Sequence, residues 1–301
     1  MTATSIAETR LARTAWPQIW RSQWWLVAPL IVFFLVFFVL PVGLLLATAF
    51  NPPAVGSVHV SAVFTLENFV RFATRSSFFL AAMRSVLLAS VVSFATLVVG
   101  YPIAFVIART QNPRFLTFLT ILVLVPMQVD MVIRLYGLMV ILGDNGLVNQ
   151  FLMWIGVISH PLALMYNFLG VVLGLIEFAM PFMILSLVGV IRNIDPSLEE
   201  AARSLGASRR RAFLLITLPM SMPGILAGTL LVFALSISSY IVPALMGGFR
   251  VGVLPILIYQ QVGEMARFQS GSAIAVVLLV ISAIAITLYL RFGARKSGGL
   301  A

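Results

Sequence analysis

Three charged residues lie deep inside long apolar stretches of the sequence, namely Asp130, Arg134 and Glu177. A charge at the centre of a membrane helix costs about 2.5 to 3.5 kcal/mol, so each is expected to have a partner or a task. Asp130 and Arg134 are four residues apart with the acid first, which favours an ion pair on one helical face. Glu177 has no such neighbour, so we expect it to face the interior, to be protonated, or to meet a distant arginine such as Arg84 or Arg134.

The chemistry open to these side chains is the binding of a charged solute. Together they carry one net negative charge, which favours a cation, although Arg134 is equally suited to a carboxylate or phosphonate. Tyr136, Tyr240 and Pro243 are candidates to line the same path, with ordinary helix packing as the alternative.

Other reactive groups are sparse. Lys296 is the only lysine and no glycine-rich loop leads to it, so the sequence lacks a loop that binds nucleotide phosphates. The two histidines, His59 and His160, are far apart, and there is no cysteine, which leaves no zinc-binding spacing. We therefore expect no catalytic residue, no metal site and no cofactor in this chain.

The composition is that of a protein dissolved in lipid. Of 301 residues, 61% are hydrophobic and 9% charged, and the mean hydropathy is +1.09, whereas soluble domains carry about 25% charged residues. A formal charge of +10 would suggest nucleic acid in a soluble protein. In a membrane protein it is explained by Lys and Arg in cytoplasmic loops, so no nucleic-acid partner is expected.

Six apolar runs are long enough to cross a bilayer, which takes about 20 helical residues. They cover residues 26–50, 78–108, 115–142, 161–191, 222–245 and 272–290. The first run is much longer than the roughly 7 to 15 residues of a secretory signal core, so we interpret it as a transmembrane helix. The less apolar segment 147–160 is expected to lie along the membrane surface.

Basic residues are unevenly distributed between the two sets of connecting segments. With the N-terminus inside, 13 of the 19 basic residues fall on the inner side and five on the outer side, and Arg134 is left within a run. The excess of positive charge predicts that both termini are cytoplasmic.

The longest polar interruption of the second half runs from Ile194 to Pro223. Asp195 or Ser197 can cap a helix there, with Ser197 and Glu200 spaced as a capping box, and Gly206 is suited to end it. The segment also has a fixed spacing, in which Glu-Ala-Ala is followed after three residues by Gly, and after nine more by Ile-x-Leu-Pro. The residues concerned are Glu200, Ala201, Ala202, Gly206, Ile216, Leu218 and Pro219.

This spacing resembles, without a gap, the EAA loop of the permease subunits of bacterial binding-protein-dependent ABC importers. The resemblance implies an all-α membrane protein with six transmembrane helices and the type I importer permease fold. It implies that residues 193–220 form a coupling helix and its return, with Glu200, Ala201, Ala202 and Gly206 contacting an ATPase subunit. Ile216, Leu218 and Pro219 would set the return into the membrane.

Residues 125–149 and 222–248 also look like the subgroup of these permeases that serves spermidine, putrescine and related solutes. One departure is Glu177, where the subgroup has an aromatic residue such as Tyr. The resemblance implies the permease subunit of an importer for a polyamine or related compound, in the bacterial inner membrane. It also implies four kinds of partner: two ATPase subunits that bind ATP and Mg²⁺, a second homologous permease, an extracytoplasmic solute-binding protein and the lipid bilayer.

The expected organisation is a cytoplasmic segment over residues 1–25, a six-helix transmembrane domain over 26–291 and a cytoplasmic tail over 292–301. Two alternatives remain open from the sequence. One is a secondary transporter driven by an ion gradient, but this alternative does not explain the EAA spacing. The other is an ABC importer for an anionic or zwitterionic solute such as aminoethylphosphonate.

Overall fold

The computed structural model describes residues 27–56 and 63–297. The segment 1–25, with its arginines and tryptophans, and His59 lie outside the described residues. Within them the ordered elements are helices. They are α1 (Val27–Ala49), α2 (Glu67–Thr74), α3 (Ser76–Arg109), α4 (Pro113–Gln128), α5 (Met131–Leu142), α6 (Leu147–Trp154), α7 (Phe168–Arg192), α8 (Pro196–Ser204), α9 (Arg209–Met220), α10 (Met222–Ile237), α11 (Ile241–Gly247), α12 (Leu254–Tyr259) and α13 (Phe268–Ser297).

Five helical segments of the described chain are long and apolar enough to cross a membrane, and a sixth results if the bent pair α9 and α10 is one span. The five are Val27–Ala49, Ser76–Arg109, Met131–Trp154, Phe168–Arg192 and Phe268–Arg291. The expected all-α membrane fold is therefore confirmed, with five to six spans.

The centre of the fold is formed by α3, α7 and α10. A Cβ on Gly224 of α10 would lie 2.9 Å from Cβ of Val190, and one on Gly228 would lie 2.8 Å from Sδ of Met183. Small residues at such positions let membrane helices approach closely, because lipid provides little hydrophobic drive to hold helices together. The backbone of α10 is thus packed tightly against side chains of α7 at these two glycines.

Two of the predicted apolar runs are interrupted. The run 115–142 divides into α4 and α5, because Pro126 lies in the last turn of α4 and Val129 and Asp130 leave helical geometry. The run 222–245 divides into α10 and α11 at residues 238–240. Irregular backbone at membrane depth is tolerated where it is covered by protein or lines a water-filled cavity.

The segment 147–160 also differs from the prediction in part. Residues 147–154 form α6, and length and composition assign them to one span with α5. Asn149 is fully buried, where its side chain donates to the carbonyls of Gly143 and Leu162, each at 3.0 Å. Its Oδ1 also accepts from the Leu162 amide at 2.8 Å. This amide therefore ties the turn after α5 to the segment that leads into α7.

Candidate functional site

The loop between α7 and α10 folds as its capping residues predict. Asp195 accepts a hydrogen bond from the Ser197 amide at 2.9 Å and caps α8, so Asp195 rather than the Ser197–Glu200 pair forms the N-cap. Gly206 has a φ of +90° and ends α8, a conformation that costs glycine little. Ser208 caps α9 through the Arg211 amide at 3.3 Å. The predicted helix and its stop are confirmed.

The outer face of α8 is open. No residue of Pro196–Ser204 is buried, Leu198 is 40% exposed and Leu205, directly after the helix, is 90% exposed. Glu200 and Ala201 are exposed, and Ala202 is half-buried. Most of the motif residues of α8 are therefore accessible on this face.

The inner face of α8 is held by contacts that the sequence analysis missed. The Glu199 carboxylate accepts a hydrogen bond from the hydroxyl of Thr217 and lies 3.6 Å from Nη2 of Arg109. Arg109 also donates through Nη1 to the carbonyl of Ile194 at 2.8 Å. Glu199 adjoins the motif, but no local spacing connects it with Arg109, which lies 90 residues earlier in the chain.

The return segment of the loop is bent. A π-helical turn covers Phe213–Thr217, and α9 and α10 meet at an angle of 62°. Of the three residues expected to set the return, Ile216, Leu218 and Pro219 are all half-buried. At the bend, Ser221 is fully buried and forms a hydrogen bond of 2.8 Å with the hydroxyl of Tyr101 in α3.

The charged residues in the apolar runs pair differently from the prediction. Arg134 of α5 contacts Glu177 of α7, with Nη1 and Oε1 3.3 Å apart, as one of the sequence alternatives allowed. The predicted pair of Asp130 and Arg134 is wrong. Asp130 is not inside a helix, because it caps α5 by accepting from the Val132 amide at 2.8 Å.

The Arg134–Glu177 contact is an ion pair with imperfect hydrogen bonding. At 3.3 Å the charges are adjacent, yet Nε and Nη1 of Arg134 and Oε2 of Glu177 have no aligned hydrogen-bond partner within the described residues. The Arg134 side chain is 12% exposed and that of Glu177 is 31% exposed. A partly exposed carboxylate in this position is unfavourable against lipid, so this face of α7 requires protein or water beside it.

The aromatic candidates lie in different surroundings. Tyr240 is half-buried directly before α11, and its ring centre is 4.8 Å from that of Tyr259. Tyr136 is 55% exposed, whereas Pro243 is buried within α11. Tyr240 thus adjoins the break between α10 and α11, and Pro243 belongs to the packed core.

A bundle of apolar, partly broken helices with an exposed polar helix between two spans defines an integral membrane transport subunit. The family described as "binding-protein-dependent transport system inner membrane component" matches residues 96–298, and the chain belongs to this family. It is therefore a multi-pass bacterial inner-membrane protein and a permease subunit of an ABC importer. In this family ATP hydrolysis belongs to a separate subunit, so the chain is not itself an enzyme.

The curated relatives cover most of the chain. The spermidine/putrescine transport system permease protein PotB of Escherichia coli (strain K12) is 35% identical over 262 residues, which is 87% of this chain and 94% of the relative. PotB of Haemophilus influenzae is 32% identical over 85% of this chain and 89% of the relative. The molybdenum transport system permease protein ModB of Mycobacterium bovis is 28% identical over 73% and 80%, respectively.

The fold is also found in solved structures. A chain of the bacterial alginate ABC transporter, in complex with an alginate pentasaccharide-bound periplasmic protein, matches with a TM-score of 0.74 at 21% identity. The match covers 93% of this chain and 97% of that chain. At this identity the likeness establishes the permease fold alone.

Proposed function

We propose that this permease imports a polyamine such as spermidine or putrescine. The observation that carries the proposal is the 35% identity with the E. coli spermidine/putrescine permease over 87% of the chain. The molybdenum permease and the alginate transporter are less similar in sequence, at 28% and 21% identity. Similarity to the polyamine permeases thus exceeds similarity to the molybdenum permease.

The energy comes from a separate ATPase subunit that docks on α8, the coupling helix. The exposed Leu205, at 90%, supports a face that a partner covers, and Glu200, Ala201, Ala202 and Gly206 form the contact. The sequence has no loop for nucleotide phosphates, which supports ATP and Mg²⁺ being held by that partner. Two ATPase subunits serve two permeases, one coupling helix each.

The second permease pairs with this chain along the path of the solute, and an external binding protein delivers the solute. The partly exposed Glu177 supports a protein- or water-facing surface on α7. The alginate transporter, solved in complex with an alginate pentasaccharide-bound periplasmic protein, supports the binding-protein partner. ATP binding draws the two coupling helices together and opens the path outward, and hydrolysis restores the inward-open state.

The solute path is assigned to Asp130, Arg134, Glu177 and Tyr240. Arg134 and Glu177 neutralise each other, so the remaining charge of the set is that of Asp130, which is exposed at the break between α4 and α5. One net negative charge favours a cationic solute. The ring of Tyr240, whose centre lies 4.8 Å from that of Tyr259, provides a face that attracts an ammonium group.

An anionic or zwitterionic solute such as aminoethylphosphonate is the second candidate. It is favoured by Nε of Arg134, a buried donor without an aligned partner within the described residues, because such a donor binds a carboxylate or phosphonate strongly.

Calorimetric titration of the cognate binding protein decides between the two. We expect tight binding of spermidine or putrescine and none of aminoethylphosphonate. Binding of only the anionic or zwitterionic solutes would contradict the polyamine assignment and leave Arg134 as the main solute contact.

A further inference from the structure

The coupling helix α8 has little apolar attachment to the rest of the protein. No residue of Pro196–Ser204 is buried, so hydrophobic burial contributes little to holding it. Its position therefore depends on the short connections at its ends and on polar contacts along its inner face. Glu199 makes those contacts.

Arg109, the last residue of α3, contacts the residue before the capped start of α8 and a carboxylate near the middle of that helix. Its Nη1 donates to the Ile194 carbonyl at 2.8 Å, and its Nη2 lies 3.6 Å from Oε1 of Glu199. The side chains of Arg109 and Glu199 are 19% and 21% exposed. Charges this well shielded from water attract each other more strongly than an exposed surface pair.

Glu199 also connects α8 with the return segment. It accepts a hydrogen bond from the hydroxyl of Thr217, whose side chain is fully buried. Thr217 ends the π-helical turn that precedes the 62° bend between α9 and α10. The bend is tied back to α3 by the hydrogen bond of 2.8 Å between Ser221 and Tyr101.

Glu199 and Glu200 are successive residues with different surroundings. Successive side chains on a helix point about 100° apart, and accordingly Glu200 is exposed whereas Glu199 is half-buried. Glu200 faces the docking surface, and Glu199 faces the transmembrane helices. Glu200 is thus placed to contact a docked partner, and Glu199 is placed to pass movement of α8 to the transmembrane helices.

We propose that Arg109, Glu199 and Thr217 form a polar link that converts displacement of α8 into movement of α3 and of the bend between α9 and α10. All three are positioning residues, because they act on the path through the helices that they hold. This inference rests on the proposed docking of an ATPase on α8. Without the link, α8 still docks, but the short connections at its ends absorb its movement.

The test uses the whole transporter, reconstituted with its partner permease, ATPase and binding protein. Glu199→Gln removes the charge opposite Arg109 and keeps an oxygen that accepts from Thr217. We expect the ATPase to copurify as with the unmodified transporter, while spermidine uptake falls about tenfold, within the usual range of coupling between sites. The stimulation of ATP hydrolysis by the binding protein is expected to fall similarly.

Two further variants make the result decisive. Glu200→Arg alters the docking face and is expected to reduce copurification of the ATPase. Thr217→Val removes the buried hydroxyl at nearly constant volume and is expected to reduce stimulation as Glu199→Gln does. If the Glu199→Gln protein fails to insert into the membrane, Thr217→Val becomes the deciding variant.

The link would be overturned if Glu199→Gln, or Thr217→Val where that variant decides, showed normal spermidine uptake and normal stimulation of ATP hydrolysis. It would also be overturned if uptake fell only in proportion to a loss of bound ATPase. Normal copurification of Glu200→Arg would contradict the docking proposal, and absence of spermidine uptake by the unmodified transporter would contradict the solute. Failure of the docking proposal would also remove the basis of the link, whereas failure of the solute assignment alone leaves the stimulation ratio to decide it.

Discussion

Glu177 lies within the apolar helix α7, and its carboxyl group is 3.3 Å from the guanidinium of Arg134. Glu177→Gln leaves the arginine without its partner. We expect a loss of about 2 kcal/mol in stability, less than the 3 to 5 kcal/mol for breaking a fully buried pair, because Glu177 is 31% exposed. Thermal denaturation of the purified protein measures this loss.

The double variant Arg134→Gln/Glu177→Gln separates structure from transport. Since it removes both charges, it is expected to recover most of the lost stability. If both residues belong to the solute path, its uptake stays low. Full recovery of uptake together with stability would show that the pair has a structural role only.

Asp195 makes the cap of the coupling helix dependent on pH. The Ser197 amide that donates to its carboxylate holds the pKa of Asp195 below its usual value. A lowered pKa means that the stabilisation is present above the unfolded-state pKa, near 4, and is lost as the pH falls through the lower folded-state value. The cap is therefore intact at neutral pH.

Amide hydrogen exchange over residues 196–204 tests the cap. At pH 7, Asp195→Ala is expected to exchange faster than the unmodified chain. Asp195→Asn is expected to exchange like the unmodified chain, because Asn caps about as well as Asp. The difference caused by Asp195→Ala should shrink below about pH 4. Equal exchange of all three proteins at pH 7 would contradict the capping role.

The chemistry of individual residues was predicted where it depends on local sequence. Asp195 and Gly206 act through neighbouring backbone, and the sequence predicted their roles as cap and stop. The pair of Asp130 and Arg134 was predicted wrongly because the prediction assumes a continuous helix, whereas α4 ends at Gln128 and Asp130 caps the next helix. Glu199 was missed because its partner comes from a distant helix.

At the scale of the element, Gly206 fixes where the coupling helix ends. Its φ is +90°, and a Cβ placed there would meet nothing within 4 Å. A larger residue is therefore disfavoured only by the backbone conformation, which costs about 1 to 3 kcal/mol. Gly206→Leu is expected to displace the helix end, loosen the ATPase and abolish uptake while membrane insertion continues.

Gly189→Leu is the matched control for this variant. Gly189 lies within α7 at a position that is also open, with nothing within 4 Å of a Cβ, and no positive φ. It is therefore expected to keep normal uptake and normal copurification of the ATPase. Normal uptake by Gly206→Leu would contradict the coupling role of this loop.

The breaks within the helices were only partly predictable. Apolar periodicity indicates where a span lies, but α10 and α11 are both apolar, and the polar stretch 238–240 between them is too short to divide the predicted span. The start of α7 was predicted too early because residues 161–167 are apolar yet not helical, and the helix begins after the Asn167 cap.

At the scale of the whole molecule, the charge distribution predicts the orientation in the membrane. The chain contains no cysteine. Labelling of a single introduced cysteine therefore shows on which side of the membrane that residue lies. Leu205→Cys, at a position 90% exposed, is expected to react with an impermeant maleimide only from the cytoplasm, and Val55→Cys, at 69%, only from outside. The reverse pattern would contradict the inferred topology.

The central claim is that this chain carries polyamines across the membrane with energy from a separate ATPase. Its most direct test is uptake of labelled spermidine by liposomes that contain the permease, its partner permease and the ATPase, with the binding protein outside and ATP inside. The account predicts that spermidine accumulates only when ATP and the binding protein are both present. ATP hydrolysis stimulated by the binding protein without any accumulation of spermidine would contradict it.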